Sequence, residues 1–487
     1  MDAKALRQLN NVWTVKYFAI AIGAIMAVFT ISHWCKLLLS SSRLTKRAPL
    51  YKRLSQCRRL DSIIWVSKRL GWISVANFTL LVFLALRNTP LALLSGRSYE
   101  KLRPLHKTAG YTCIATSLIH AIVYLNAWAQ IDHLHEMRET ENLAGAIAGL
   151  AMVIIGLSTI SWVMRRYYEL FYVIHLIMFL LIIILVGMHR PNFAKSTVII
   201  VIFTACIWGA DRLLRLVKLC WNFPGNYATL TPMTDGAVRV KLHRSLRCTP
   251  GSHAFLWMPS LRFFESHPFT LVSNSPVEFL IREYDGYTHD LVNLARQQPG
   301  VRLRCSVDGG YGQIPDYTKF DHVVLVAGGS GASFTFALAL AILKEHSTRT
   351  IDFIWSVKRT DSLKWFENEL QQLQESSSVN LHIHVSRDAV SSEDDSSSLD
   401  LAQATPDVEK GNEKTGCQTV SVAARHKGRP DIGNLLASCV AQCSPEARIG
   451  VAACGPSQMV SATRAAVYKR AYDVGPSITL HTEEFGW

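Results

Sequence analysis

The chain has 487 residues, 49% of them hydrophobic, with 51 Lys and Arg against 37 Asp and Glu and a formal net charge of +14. That composition excludes a disordered or collagen-like chain, and the length suggests about two to four domains. Residues 1–220 carry 26 basic and 9 acidic residues, net +17, whereas residues 221–487 carry 25 and 28, net −3; a basic excess interleaved with long apolar runs indicates a membrane domain with basic loops, not a nucleic-acid binder.

A spanning helix needs about 20 mostly apolar residues. In chain order the candidates are Val15–Trp34, Gly71–Leu86, Ala109–Trp128, Ala144–Met164, Leu170–Met188 and Thr197–Leu216. No small-residue cleavage site follows the first, so it reads as an uncleaved span. Basic residues favour the cytosolic side of spans. Arg212, Arg215 and Lys218 therefore place the end of the last span in the cytosol, with Arg165–Arg166 and the segment Arg87–Lys107 on the same side. The acidic loop Asp132–Glu141 then lies outside. The count does not close at the linker from Lys36 to Arg69, which holds ten basic residues and one acid, Asp61, yet would be external with six spans. The 11 cysteines include no CxxC pair, which argues for a reducing compartment and against a disulfide framework or zinc site.

Two of the spans each carry a histidine pair, His106 with His120 and His175 with His189, both 14 positions apart. Fourteen helical residues rise about 21 Å and make close to four turns, so the two rings of a pair share a face near opposite membrane surfaces. One span intervenes between the two helices, so they run in the same direction. His106 is then level with His175, and His120 with His189. Imidazoles are haem ligands, and polar groups at membrane depth are there for function. Two stacked haems, each held by two His, fit this spacing. The plainer alternative is four separate histidines capping helices or facing an interior, and the repeated spacing weighs against it. His133 and His135 read as solvated loop residues. Arg190, beside His189, is equally a snorkelling helix end or a charge that attracts an anion.

Beyond Trp221 the pattern changes to short apolar runs with Gly/Pro punctuation. Ala237–Leu242, Ala254–Met258 and Glu278–Tyr284 alternate like strands, with HPFT at 267–270, GYT at 286–288 and GGYG at 309–312 between and after them. This predicts a small antiparallel β domain over 221–318. From His322 an apolar strand, HVVLVAGG, runs into GGSGAS and then the helical stretch Phe334–Lys344. Strand, Gly-rich turn and helix present backbone N–H groups to phosphate. Further strands are expected at Thr350–Val357, Val379–Val385 and Ile449–Cys454, the last leading into Cys454-Gly455-Pro456. Strands alternating with helices predict a doubly wound sheet over 319–487, its ligand at the strands' C-terminal ends. A polar stretch from Ser391 to about Arg425 has no apolar periodicity, so an insertion at about 386–428 is expected to be disordered.

Taken together, these motifs resemble the fungal ferric reductase family, within the ferric reductase and NADPH oxidase superfamily. The resemblance runs from about Lys68 to Trp487. It rests on the stretch GWISVANFTLLVFLALRNTPLALLSGRSYEKLRPLHKTAGYTCIATSLIHAIVYL with its paired His, and on HPFT, GYT, GGYG, GGSG, CGP and the terminal EEFGW in that order. It implies an α-helical transmembrane haem-binding bundle over 1–220. An antiparallel β-barrel FAD-binding domain and an α/β doubly wound NAD(P)-binding domain would follow.

The resemblance also implies roles. His267, Pro268, Phe269 and Thr270 would bind flavin, and Thr288 would lie at the flavin pyrophosphate. Gly328, Gly329 and Gly331 correspond to the nicotinamide nucleotide loop, and Cys454, Gly455 and Pro456 to the nicotinamide-side motif. Phe485 and Trp487 match a C-terminal aromatic segment that covers the flavin ring. Ser356, at the end of the second strand, and Lys358 and Arg359, just after it, lie where a 2′-phosphate would sit, which favours NADPH. His106 and His175 would hold the inner of two b-type haems, and His120 and His189 the outer.

The expected path runs from NADPH to FAD, the haems and a ferric chelate, with a cupric chelate as a further substrate. The rival activity is an NADPH oxidase making superoxide, and a non-enzymatic redox sensor or scaffold is the other alternative. The plasma membrane is the default location and a vacuolar membrane the alternative. Iron-uptake proteins are the expected partners, with membrane lipid and no nucleic acid. Two departures stand out. Ala332 replaces a larger aliphatic residue. A helix expected before Gly71 is also missing, which would explain the basic linker if the chain lost it or is an incomplete gene product.

Overall fold

The computed structural model describes residues 49–189, 195–345, 350–387, 425–470 and 475–484. The expected span Val15–Trp34, Arg190, most of the polar insertion, Phe485 and Trp487 lie outside the described residues. The chain divides into two compact units, with the break between Lys218 and Leu219.

The first unit is helical. Its long helices are α1 (Pro49–Ala85), α2 (Arg103–Gln130), α3 (Thr140–Ser158), α4 (Tyr168–Met188) and α5 (Lys195–Asn222). Among the described residues, five helical stretches are long and apolar enough to cross a membrane: Ile63–Ala85, Tyr99–Gln130, Thr140–Ser158, Tyr168–Met188 and Thr197–Asn222. Apolar side chains such as Leu150, Leu157, Ile177, Ile184 and Ile199 point outward, as they must where the solvent is lipid. Where helices meet, small hydroxyl residues let the backbones approach. Ser74 Oγ and Thr116 Oγ1 are 2.7 Å apart between α1 and α2, and Thr79 Oγ1 and Thr204 Oγ1 are 2.9 Å apart between α1 and α5. One expected span ends early. Helix α3 stops at Ser158, and a separate short helix, Ser161–Arg166, follows. Ser158 Oγ donates to Ile155 O and Thr159 Oγ1 to Gly156 O, side-chain bonds that compete with continuation of the helix. At one end of the bundle, Asp211 Oδ1 accepts from both the backbone and side-chain nitrogens of Asn88 at 3.0 Å and its carboxylate pairs with Arg215, while Lys218 Nζ donates to Asn88 Oδ1 at 2.8 Å.

The second unit holds two sheets. The first is antiparallel and contains β1 (Tyr227–Met233), β2 (Ala237–Leu242), β3 (His253–Trp257), β4 (His267–Asn274), β5 (Val277–Arg282), β6 (Arg302–Arg304) and β7 (Ser306–Tyr311), in the order β6-β1-β2-β5-β4-β3-β7. The expected closed barrel is not formed: β6 and β7 are the two ends of this order. Instead β4 serves both halves. His267–Thr270 pair with β3, and Leu271–Asn274 pair with β5 across a register shift. Helix α6 (Tyr287–Gln297) buries Tyr287, Leu291, Val292 and Ala295 in the core of this sheet.

The second sheet is parallel throughout. Its strands are β8 (His322–Gly328), β9 (Thr350–Val357), β10 (Val379–Val385), β11 (Arg425–Lys427), β12 (Arg448–Gly455) and β13 (Ser477–Glu484), ordered β11-β10-β9-β8-β12-β13. Every residue of β8 is buried, which is why that strand reads as an unbroken apolar run rather than an alternation. Helices α7 (Ala332–Lys344), α8 (Glu367–Gln374), α9 (Ile432–Ala441) and α10 (Ser457–Arg470) connect the strands. The strand order reverses between β8 and β12, and a crevice at such a switch point is where doubly wound sheets bind ligands.

Candidate functional site

In the helical unit the four histidines form two facing pairs. The ring centres of His106 and His175 are 6.3 Å apart, and those of His120 and His189 are 6.2 Å apart. Helices α2 and α4 thus run in the same direction, and an apolar cluster that includes Phe78, Cys113, Met152 and Ile182 fills the core of the bundle.

Three of the four rings are held by backbone carbonyls. His106 Nδ1 lies 3.0 Å from Leu81 O, His120 Nδ1 2.8 Å from Ser67 O, and His189 Nδ1 2.8 Å from Glu141 O. A carbonyl only accepts, so Nδ1 carries the proton and Nε2 keeps its lone pair. That is the tautomer a metal needs, and the carbonyl contact is the usual outer partner of a ligating His. The Nδ1 atom of His175 is buried without a partner. A metal bonded at about 2.0 Å to each of two facing imidazoles, with roughly 1.1 Å more to each ring centre, separates the centres by about 6.2 Å. Both pairs match this separation, so the residues present fit bis-imidazole haem.

The supporting residues were not legible as motifs. Ser67 and Leu81 lie on α1, 14 positions apart like the histidines they hold, because α1 packs antiparallel against α2. Two glycines leave room for the second pair. A methyl group on Gly71 would lie 3.2 Å from the His120 ring, and one on Gly145 would lie 2.6 Å from His189 Cε1 and nearer still to Nδ1.

In the second unit the HPFT residues open β4. The pleat puts His267 and Phe269 on one face, where both stack on Tyr287 at 4.3 and 6.3 Å between ring centres, and turns Pro268 and Thr270 to the other. The four residues therefore do not form one surface. His267 Nε2 also meets Glu265 Oε2 at 3.0 Å. Thr288 stands in the first turn of α6 after Gly286, its Oγ1 accepting from Tyr284 N at 2.9 Å. The unpaired N–H groups of an 11-residue helix open there, which suits a pyrophosphate.

The two glycine motifs meet at the switch point. A methyl group on Gly331 would lie 2.5 Å from Cys454 O, and one on Gly328 would lie 2.5 Å from Pro456 Cδ. Gly329 and Gly455 have φ of 56° and 154°, conformations that favour glycine. Trp355 Nε1 donates to Gly329 O at 3.1 Å and so pins the loop to β9. Cys454 is fully buried, and burial, with Glu483 nearby, pushes its thiol well up. It is held as a neutral thiol rather than a thiolate.

Ser356 lies beside Gly328 in the β8–β9 register, and Lys358 is exposed. Arg359 is already engaged by Asp235 from the turn between β1 and β2. A cleft of about 620 Å³ between the antiparallel sheet and helices α7 and α8 is lined by Arg239, Glu278 and Glu369 among others, and by none of the residues expected to bind flavin or nucleotide. Arg239 ion-pairs with both carboxylates and joins the two domains.

One cluster went unread in the sequence. His322, Asp352 and Cys439 bring three buried ligand atoms together. His322 Nε2 is 2.5 Å from Asp352 Oδ2, and Asn380 Nδ2 donates to Asp352 Oδ1 at 3.0 Å. Adjacent ligands of a tetrahedral ion at 2.0–2.1 Å sit roughly 3.3 Å apart, so the 2.5 Å contact is a charge-assisted hydrogen bond rather than half of a metal site.

Three family models match in succession: a ferric reductase like transmembrane component over residues 70–186, an FAD-binding domain over 223–315, and a ferric reductase NAD binding domain over 320–468. A probable cell surface ferric reductase, kap2, of Aspergillus oryzae is 26% identical over 62% of this chain and 45% of its own length. The ferric/cupric reductase transmembrane component 2 of Schizosaccharomyces pombe is 27% identical over 65% of both chains. The ferric reductase transmembrane component 5 of Saccharomyces cerevisiae is 26% identical over 89% of this chain and 63% of its own. The chain thus spans less than two thirds of the length of these relatives. With all three models in order on a helical bundle and a two-sheet dehydrogenase unit, the chain belongs to the ferric reductase family.

Proposed function

We propose that the chain carries electrons from cytosolic NADPH, through FAD and two b-type haems, to a ferric or cupric chelate across the membrane. The chemistry would belong to the bound groups: flavin would supply hydride acceptance from the nicotinamide and one-electron delivery to haem. The protein's share is position and tautomer. Leu81, Ser67 and Glu141 carbonyls fix three imidazoles with Nε2 free to ligate. The glycines at 328, 329, 331 and 455 admit a phosphate-bearing nucleotide close to the backbone, and neutral Cys454 adds no charge beside it. Lys358 offers a cation for the 2′-phosphate. The basic Arg165–Arg166 and the acidic Asp132–Glu141 loop support a cytosolic dehydrogenase unit. The plasma membrane is the proposed site.

The observation that carries this reading is the doubled imidazole pair, at 6.3 and 6.2 Å, on two helices with the same spacing. Purified membranes assayed in parallel for ferric-chelate reduction and superoxide output test it. Chelate reduction that superoxide dismutase does not suppress supports the reading. NADPH-dependent superoxide as the sole product replaces it with an oxidase.

A further inference from the structure

Three aromatic side chains of the second unit stand almost uncovered: Trp221 is 79% exposed, Phe263 62% and Phe264 95%. Large apolar rings in a patch signal a surface that something else covers. Phe263 and Phe264 belong to a connected group of rings that reaches Phe223, two residues after Trp221. The ring centres of Phe223 and Trp257 are 5.4 Å apart, those of Trp257 and Phe263 6.1 Å, and those of Phe263 and Phe264 5.0 Å. Trp257 Nε1 donates to Phe263 O at 2.7 Å, which fixes the loop. Its charged residues turn back: Arg262 bonds Asp290 at 2.7 Å and Glu265 at 2.9 Å, leaving the two rings facing out.

The covering phase follows from where the group is attached. Trp221 lies in the last turn of the stretch Thr197–Asn222, whose 26 residues run about 39 Å at 1.5 Å each. A bilayer's hydrocarbon core is about 30 Å thick, and about 40–45 Å with its headgroups. The last turn of α5 therefore lies at headgroup level, where tryptophan is enriched. That turn is bonded to the flavin domain: Ser306 Oγ donates to Leu219 O at 2.7 Å, Asn222 Nδ2 to Val307 O at 2.9 Å, and Arg244 Nη1 to Trp221 O at 3.2 Å.

We propose that the Phe263–Phe264 loop inserts its two rings into the bilayer leaflet that the C-terminal end of α5 enters, with lipid as the partner. Strand β4 begins three residues after Phe264, at His267, so this anchorage sets the flavin-binding strand at the membrane surface. The proposal rests on the reading of α5 as a spanning helix.

The test uses the holoprotein in phosphatidylcholine liposomes doped with a phospholipid carrying a photoactivatable diazirine on its acyl chain. Illumination and peptide mass spectrometry then locate the adducts. The expected result is adducts on Phe263 or Phe264 in the sample that labels Trp221 and helices α2–α5. Loss of that loop labelling in Phe263→Ser with Phe264→Ser, with Trp221 still labelled, is the expected control. Labelled helices with an unmodified loop overturn the proposal, as does loop labelling that survives the double substitution. Unlabelled helices overturn the spanning reading itself.

Discussion

The imidazole of His189 lies directly over Gly145. A methyl group at that position would sit 2.6 Å from Cε1 and 2.9 Å from Cγ of the ring, distances no real side chain keeps. The same ring bonds Glu141 O, one turn earlier on α3. It is thus placed by the backbone of α3, with a hydrogen bond on one side and an absent side chain on the other.

Gly145→Ala should therefore displace a proposed outer ligand. Overpacking of this kind costs about 1–3 kcal/mol, and here the ring cannot retreat without breaking its bond to Glu141. The expected outcome is loss of the outer haem with the inner one retained, read as halved haem per chain by pyridine haemochrome assay. Gly71→Ala should be milder, because its contact with His120 is 3.2 Å and needs only a small shift.

Gly331→Val should separate the two nucleotide motifs. Its first side-chain atom alone would meet Cys454 O at 2.5 Å. Stopped-flow reduction of the flavin by NADPH should slow by about tenfold for each 1.4 kcal/mol of disrupted binding, while haem content is unchanged. An unaltered flavin reduction rate would remove Gly331 from the nucleotide site.

Discrimination between NADPH and NADH should rest on Lys358 more than on Arg359. Arg359 is already paired with Asp235, whereas Lys358 is exposed beside the end of β9. A hydrogen bond to a charged group contributes about 1.5–3 kcal/mol, so Lys358→Ala should lower the NADPH preference by roughly tenfold or more. Arg359→Ala should change it less. Ratios of kcat/KM for the two nucleotides measure both effects.

Asp352 supplies a pH-dependent part of the stability of the parallel sheet. Burial pushes its carboxyl up, but hydrogen bonds from His322, His382, Asn380 and Cys439 outweigh that and hold it well below the usual carboxylate range. A depressed folded value stabilises the fold above the unfolded value of about 3.9, and the contribution is lost as pH falls through the folded one. Asp352→Ala should cost about 3–5 kcal/mol near neutrality and less in acid. Denaturant midpoints of wild type and variant from pH 7 downward check this; a gap that does not narrow with acidification contradicts it.

The parts of the site that rest on side-chain chemistry were legible in the sequence. The doubled 14-residue His spacing predicted both facing pairs, and the Gly-rich turn after an apolar strand predicted the loop that meets Cys454–Pro456. The parts that rest on backbone were not. Any residue presents the carbonyl that Leu81, Ser67 or Glu141 offers, so nothing in the residue type announces it. Gly145 acts by lacking a side chain, and one glycine in an apolar helix looks like any other. The barrel expectation failed for a related reason: alternation identifies antiparallel strands, but whether β6 and β7 close the ring depends on long-range pairing. The break after Ser158 depended on hydroxyl bonds that compete with the helix, in a run whose hydropathy continues to Met164.

Two haems held by four histidines are the centre of the proposed electron path, and a reduced-minus-oxidised spectrum with haem stoichiometry tests them most directly. Purified wild type should show a b-type spectrum with two haems per chain. His120→Ala should keep one haem, lose ferric-chelate reduction and retain part of its flavin-dependent NADPH oxidation. Absence of a dithionite-reducible b-type spectrum in wild type, or full haem and full ferric reduction in His120→Ala, would contradict the account.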